Sequence, residues 1–340
     1  MNFPQLQWRP AAASDVPAWA ELIARTAAVE TPVWYEREAD LQQHVTSRKN
    51  PVASHTVLGM DAAGTLRAYA RISKNPDGDK AHGFGCVDPG WQRRGVGTAL
   101  LGWLEQRTRE RFAEDAANAP AEEAAEGPAG VSAGGRAEVP PRLRIGTEQQ
   151  HGHQAGLLES AGYTVVRYFN EMHRSLDQPL PTNILAPGLV LTAMAPELHE
   201  QVRLAHNASF LDHWGSEPRD EESWLFTVNH PQARPDLSAV VLDGATGDVA
   251  GYQLASHDPD IAVQRGFREG YTLLLGVRQE HRGRGIAQAL LADAMHRFTG
   301  AGMDVASLDV DSENPTGALA LYTKMGYRAV SRSMAWDKEL

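Results

Sequence analysis

The sequence predicts an α/β fold built twice in tandem, each copy a central mixed sheet flanked by helices. Three observations lead there. A glycine-bearing turn occurs twice, as Gln92-Arg93-Arg94-Gly95-Val96-Gly97 and as Arg282-Gly283-Arg284-Gly285-Ile286-Ala287. Each turn follows an apolar strand-like run and opens a helix-like one. A second signature follows each turn, Glu159-Ser160-Ala161-Gly162-Tyr163 and Thr323-Lys324-Met325-Gly326-Tyr327. It reads as a helix stopped by a C-terminal glycine and succeeded by a strand.

The elements repeat in order. The first copy opens with a strand near Leu6 to Arg9, then a helix capped by Ser14 or Asp15 that carries Val16, Trp19, Leu22 and Ile23 at helical spacing. A hairpin runs from Thr56-Val57-Leu58 through Asp61 and Gly64 to Leu66 and Ala70. In the second copy, Leu189-Val190-Leu191 is strand-like, Pro196 to Phe210 helical, and Val240 to Tyr252 a hairpin turning at Asp243-Gly244 and Gly247. The proline-bearing stretch 176–188 reads as the linker, giving domains at 1–175 and 189–340. Gly162 aligned with Gly326 sets an offset of 164, whereas Gly95 aligned with Gly285 sets 190, so the first copy holds 26 extra residues. They fall within residues 112–141, rich in Ala, Glu, Gly and Pro, which reads as a solvated loop insertion.

Composition narrows the function classes. The formal charge of −11 argues against a nucleic-acid partner, which needs a broad basic face. No stretch approaches the ~18 to 20 apolar residues of a membrane helix. Met1-Asn2-Phe3-Pro4 starts no signal region, and the single cysteine, Cys86, permits no intramolecular disulfide, so a cytoplasmic setting is expected. Each turn leaves backbone N–H groups aimed at one point beside the positive end of a helix dipole, which suits a phosphate or pyrophosphate. Gln92, Arg93, Arg94, Gly95, Val96 and Gly97 form one such cradle, and Arg282, Gly283, Arg284, Gly285, Ile286 and Ala287 the other.

Gln92-x-x-Gly95-x-Gly97 and Arg282-x-x-Gly285-x-Ala287, with Asn314, Tyr322 and Gly326-Tyr327 behind the second, resemble the ordered motifs of the GNAT superfamily of N-acetyltransferases, in its tandem two-domain form. The resemblance implies two folds in tandem, each with a mixed, mostly antiparallel sheet. It also implies acetyl-CoA as acyl donor, with no metal, and a primary amine of a small molecule as acceptor, in a monomer or homodimer. In the family the strand before the turn, here Leu275, Gly276 and Val277, offers backbone groups to the pantetheine arm, and Asn314 lies near that arm. The family's proton donor falls on Tyr322. By the 164-residue offset its counterpart in the first copy is Leu158, and that of Asn314 is Gln150, so the second copy is expected to be catalytic and the first silent. Tandem relatives often carry a carboxylate base where this chain has Tyr271; Glu269, Asp212 and His213 are therefore the candidates for that role. Phe210, Trp214 and Trp224, with Glu217 and Glu222, line the segment where the acceptor wall is expected. His151 and His153 read as polar loop residues, and Cys86 as a core residue. A protein or peptide N-acetyltransferase and a non-catalytic CoA-binding scaffold are the alternative readings.

Overall fold

The computed structural model describes residues 5–118, 140–211, 213–314 and 317–340. The chain divides into two compact units, residues 1–166 with 334–340, and residues 167–333.

The first unit holds β1 (Gln7–Pro10), β2 (Thr56–Met60), β3 (Leu66–Ser73), β4 (Ala81–Val87) and β5 (Arg142–Glu148) in that order across the sheet. Every neighbouring pair is antiparallel except β4 and β5. The next place beside β5 is taken by the end of β12 (Arg328–Glu339). Trp336, 3% exposed, donates its indole N–H to Thr147 Oγ1 at 2.9 Å, and Asp337 takes a bidentate bond from Arg144 at 2.6 and 2.7 Å. α1 (Val16–Glu30) buries Val16, Trp19, Leu22 and Ile23 as its spacing predicts. Asp15 precedes it but does not cap it, because its carboxylate accepts the N–H of Ala12 and pairs with Arg9. α2 (Glu38–Thr46) and the short α3 (Val52–His55) follow.

The expected insertion needs correcting at its start. α4 (Val96–Asn118) runs unbroken through Phe112. Arg107 bonds Glu110 and Glu114, Arg111 pairs with Asp115, and the Lys74 ammonium lies 4.6 Å from the Phe112 ring centroid. Ion pairs at helical spacing and a ring packed on the core extend the helix where composition alone suggested a loop. Residues 119–139 of that stretch lie outside the described residues. α5 (Gly152–Ser160) completes the unit.

The second unit orders its strands as β6 (Thr164–Ser175), β11 (Val305–Asp311), β10 (Glu269–Val277), β9 (Val249–Ser256), β8 (Ala239–Asp243) and β7 (Leu189–Ala193). Only β10 and β11 run parallel. Each unit is thus a mixed, mostly antiparallel sheet with helices, and the second repeats the first. Its helices are α6 (His199–Ser209), α7 (Glu221–Val228), α8 (Pro259–Arg265), α9 (Ile286–Gly300) and α10 (Ala318–Lys324). α9 lays Leu291, Ala294, Met295 and Phe298 on the sheet beside Ala306, Leu308 and Val310. A Cβ on Gly270 would come within 2.4 Å of the Phe298 ring, so only glycine lets helix and strand approach this closely. Full burial of a side chain such as Phe298 is worth about 1.5–3 kcal/mol.

The unit boundaries differ from those read in the sequence. Residues 167–175 lie with the second unit and 334–340 with the first. In the stretch 176–188, Leu176 is buried in the second unit's core and Leu180, Leu185 and Ala186 pack against it. Apolar anchors hold this segment down despite its prolines.

Candidate active site

The second unit's glycine turn joins β10 to α9. A single 3-10 turn at Gln279–His281 follows the strand, and Gly285 caps α9 with φ 75°. Gly283 shares the left-handed conformation at φ 77°. A Cβ on either glycine would meet nothing within 4 Å, so the space before the turn is open. The first backbone bond back into this end runs from Ala289 to Gly285 O at 3.0 Å. The N–H groups ahead of it, Ile286 and Ala287 included, point out of the helix end toward that space. Arg282 donates to Val277 O at 3.3 Å and Ser209 O at 3.0 Å, and Arg284 meets His281 Nδ1 at 3.1 Å. Both guanidiniums brace the turn here.

Behind the turn, β10 approaches β9 so closely that a Cβ on Gly276 would fall 2.5 Å from the Tyr252 ring. Leu275 and Val277 are half-buried and pack toward the α9 side. On its other edge β10 pairs with β11 through Glu269–Val305, Gly270–Ala306 and Tyr271–Ser307, and the pairing stops there. The register with β9 slips between Thr272 and Leu274, so Leu273 is extruded as a bulge and is 38% exposed. Beyond Tyr271 the two parallel strands no longer pair, so their facing backbone groups do not satisfy one another.

The two faces of this opening differ chemically, because side chains alternate along a strand. Leu308 and Val310 point to the α9 and α10 side, where Tyr322 packs with them. Tyr322 is 9% exposed and its ring meets Tyr327 edge-on at 6.0 Å. Its hydroxyl has no hydrogen-bond partner among the described residues. Burial pushes the phenol up to about 12, so it keeps its proton at neutral pH. Asn314 lies just after β11, and its amide Nδ2 is 3.1 Å from His213 Nε2. The structure therefore joins two of the sequence candidates separated by a hundred residues. Asp212 lies outside the described residues.

Ser307 and Asp309 point to the opposite face, with Glu269 and Tyr271 from β10 and Glu171 and His173 from β6. Glu269, 6% exposed, is 3.7 Å from Arg265 and 3.8 Å from His173. Glu171 is bonded more tightly, by Arg265 at 2.7 Å, His173 at 2.8 Å and Ser331 at 2.6 Å. Burial alone would raise its pKa, but these donors outweigh it and hold the carboxyl down at about 2. Glu269 thus lies at the edge of the ionic cluster centred on Glu171. Asp309 is the residue the sequence reading passed over. Its Oδ2 accepts from the Tyr271 hydroxyl at 3.0 Å. Its side chain is exposed, yet neighbouring protein atoms displace much of the water around it. Desolvation pushes its carboxyl up to about 6 against the lowering effect of the Tyr271 bond. Its signal was the polar alternation Ser307, Asp309, Asp311 in an otherwise apolar strand.

Of the expected acceptor wall, Phe210 stacks on His206 at 4.6 Å, and Trp214 lies 6.4 Å from Phe169 with Arg167 over its ring at 4.8 Å. Trp224 is 2% exposed and belongs to the core under α6 and α7.

The first unit keeps the turn but changes what surrounds it. Gly95 is left-handed at φ 85°, and so is Arg93 at φ 59°, at some cost for a residue with a Cβ. Val96 is buried at the start of α4, and Arg94 lies over Trp91 at 5.0 Å. Gln92 is bonded to Glu30 at 2.8 Å, and a Cβ on Gly97 would be 3.4 Å from Leu157. β4 pairs with β5 through Gly83–Ile145, two residues beyond the equivalent of Tyr271–Ser307, and its register with β3 runs without a bulge. Ile145 stands where Asp309 does, and Leu158, 3% exposed, where Tyr322 does. His151 bonds Glu30 O at 2.9 Å and His153 lies 3.3 Å from the Glu30 carboxylate. Burial pushes the Cys86 thiol up to about 12, so it is no nucleophile.

The duplicated fold, with a glycine turn in each copy, has counterparts among known proteins. The model of the acetyltransferase (GNAT) family matches residues 18–126 and 199–327. The chain belongs to that family. It is an N-acetyltransferase, and acetyl-CoA is the family's acyl donor. A mycothiol acetyltransferase of Thermomonospora curvata is 26% identical over 81% of this chain and 79% of its own. One of Salinispora arenicola is 28% identical over 84% and 82%. Among solved structures, a GCN5-related N-acetyltransferase from Sphaerobacter thermophilus aligns with a TM-score of 0.71 at 23% identity, covering 100% of this chain and 97% of that one. A tandem GNAT protein from the clavulanic acid biosynthesis pathway aligns at 0.70 and 16% identity, covering 98% of each chain. The two structures support a tandem fold. No described helix is long and apolar enough to cross a membrane.

Proposed function

We propose that the second unit transfers acetyl from acetyl-CoA directly to the primary amine of a small molecule, with Tyr322 as general acid. The observation that carries this is the opening between β10 and β11, with the bulge at Leu273 at its root and the open glycine turn at its end. The turn from Arg282 to Ala287 would hold the pyrophosphate on backbone N–H groups. The free edge of Leu275 to Val277 and Asn314 would take the pantetheine arm. Tyr322 would give its hydroxyl proton to the departing thiolate. The mycothiol acetyltransferase relatives favour a small acceptor over a protein. The first unit, with Leu158 at the position of Tyr322, acts as a non-catalytic partner domain.

Calorimetric titration with acetyl-CoA tests the cradle, with free CoA release then measured over glucosamine, spermidine, alaninamide and a short peptide. Gly285→Glu puts bulk and negative charge where the pyrophosphate belongs and strains a left-handed position, so it should reduce affinity at least tenfold. A folded Gly285→Glu protein with unchanged acetyl-CoA affinity removes the basis for the assignment.

A further inference from the structure

We propose that Asp309 is the general base that deprotonates the acceptor amine, and that the Tyr271 hydroxyl positions it. The inference rests on the acetyl-transfer reading above and adds the residue that reading leaves open.

The bulge makes the site. In the first unit the strand pair runs on to Gly83–Ile145, and in the second the extruded Leu273 breaks it at the corresponding point. Asp309 is therefore the first side chain past the last Tyr271–Ser307 pair that points away from α9 and α10. Tyr322 packs on the other face. A thioester lying between the parted strands would have the acid on one side and the carboxylate on the other, which is what attack from one face and departure to the other require. Glu171 is bonded by Arg265 and His173, and buried Glu269 lies 3.7 and 3.8 Å from the same two groups, on the far side of the last strand pair from the opening. Among the described residues, Asp309 has only the phenol of Tyr271 as a hydrogen-bonded partner. Beneath it, the Oγ of fully buried Ser307 lacks any partner among the described residues, leaving donor capacity on the same face.

The step balances as follows. The Asp309 carboxylate takes one proton from the ammonium, and the freed nitrogen lone pair forms the N–C bond while the carbonyl pair moves to oxygen. Collapse breaks C–S, and sulfur leaves with its pair and takes the Tyr322 proton. The remaining surplus proton on nitrogen restores Tyr322, and Asp309 returns its proton to water. The products are amide, free thiol and one proton.

Groups facing Asp309 are Tyr271 and Glu269 from β10, Glu171 and His173 from β6, Arg265 from α8 and Asp311 on its own strand. The two neighbouring glutamates raise its pKa, and Arg265 and the Tyr271 bond lower it. A base must be ionised to act, so kcat/KM for the amine should rise with pH through a limb near 6. Asp309→Asn should lower kcat by ~10² to 10⁴ and abolish that limb, with acetyl-CoA affinity unchanged. Tyr271→Phe removes a bond to the charged form and should move the limb to higher pH, an effect that loss of packing alone does not produce. The assay uses the panel amine that turns over fastest, with thermal melts to confirm folding. A limb that persists in Asp309→Asn, or an unmoved limb in Tyr271→Phe, overturns the proposal while wild-type turnover leaves the acetyltransferase reading standing. Wild-type protein that acetylates none of the amines overturns both.

Discussion

Replacing Tyr322 by phenylalanine removes one oxygen and should separate chemistry from binding. The hydroxyl has no partner among the described residues, so its loss breaks no internal hydrogen bond. The ring keeps its edge-on contact with Tyr327 at 6.0 Å and its place beside Leu308 and Val310. Stability should therefore change by less than about 1 kcal/mol, the scale of a single net hydrogen bond. The rate is a different matter. A positioned proton donor contributes ~10² to 10⁴ to turnover, or roughly 2.7–5.5 kcal/mol of transition-state stabilisation at 1.36 kcal/mol per decade. Single-turnover release of free CoA measures this, with calorimetry for acetyl-CoA affinity and a urea melt for stability. The expected pattern is a large fall in kcat with the other two readouts flat. A kcat within twofold of wild type would mean that water protonates the thiolate, and the role assigned to Tyr322 would fall.

The first unit yields two further expectations. Gly95→Glu should leave the catalytic rate per second-unit site unchanged, because Leu158 and Ile145 stand at the reactive positions of the first; acetylation that survives Gly285→Glu and vanishes in the double variant would show the first unit to be active. Trp336→Ala should destabilise the protein by about 3–5 kcal/mol, the usual range for a buried tryptophan, since it empties a core position and strands the Thr147 hydroxyl. A urea midpoint shift equivalent to under about 1 kcal/mol would show that the end of β12 does not complete that core.

Much of this site could be read from residue types. Gly283 and Gly285 announce left-handed turns, Gly326 a helix stop, and Leu158 against Tyr322 the asymmetry between copies. Each depends on a local property that one residue displays. The bulge at Leu273 escaped because Thr272-Leu273-Leu274-Leu275 is a uniform apolar run, and register is a relation between strands rather than a property of either. Without the bulge, Asp309 looks like one more outward residue of an alternating strand. The helix through Phe112 was missed for the opposite reason: composition outweighed the i, i+3 and i, i+4 pairing of Arg107, Glu110, Arg111 and Asp115 that was present in the letters. The bond from Asn314 to His213 joins loops whose conformation no periodicity specifies.

The placement of residues 334–340 beside β5 has a consequence for how the protein is made. A ribosome delivers β1 to β5 early, yet the strand that covers the β5 edge comes after the whole second unit has been synthesised. For most of translation that edge presents unpaired N–H and C=O groups, a template for association with any extended chain nearby. The edge is closed when Trp336 and Asp337 take their places beside β5. A fragment cut after Val166 would lack the strand end that covers β5 and would carry that edge exposed.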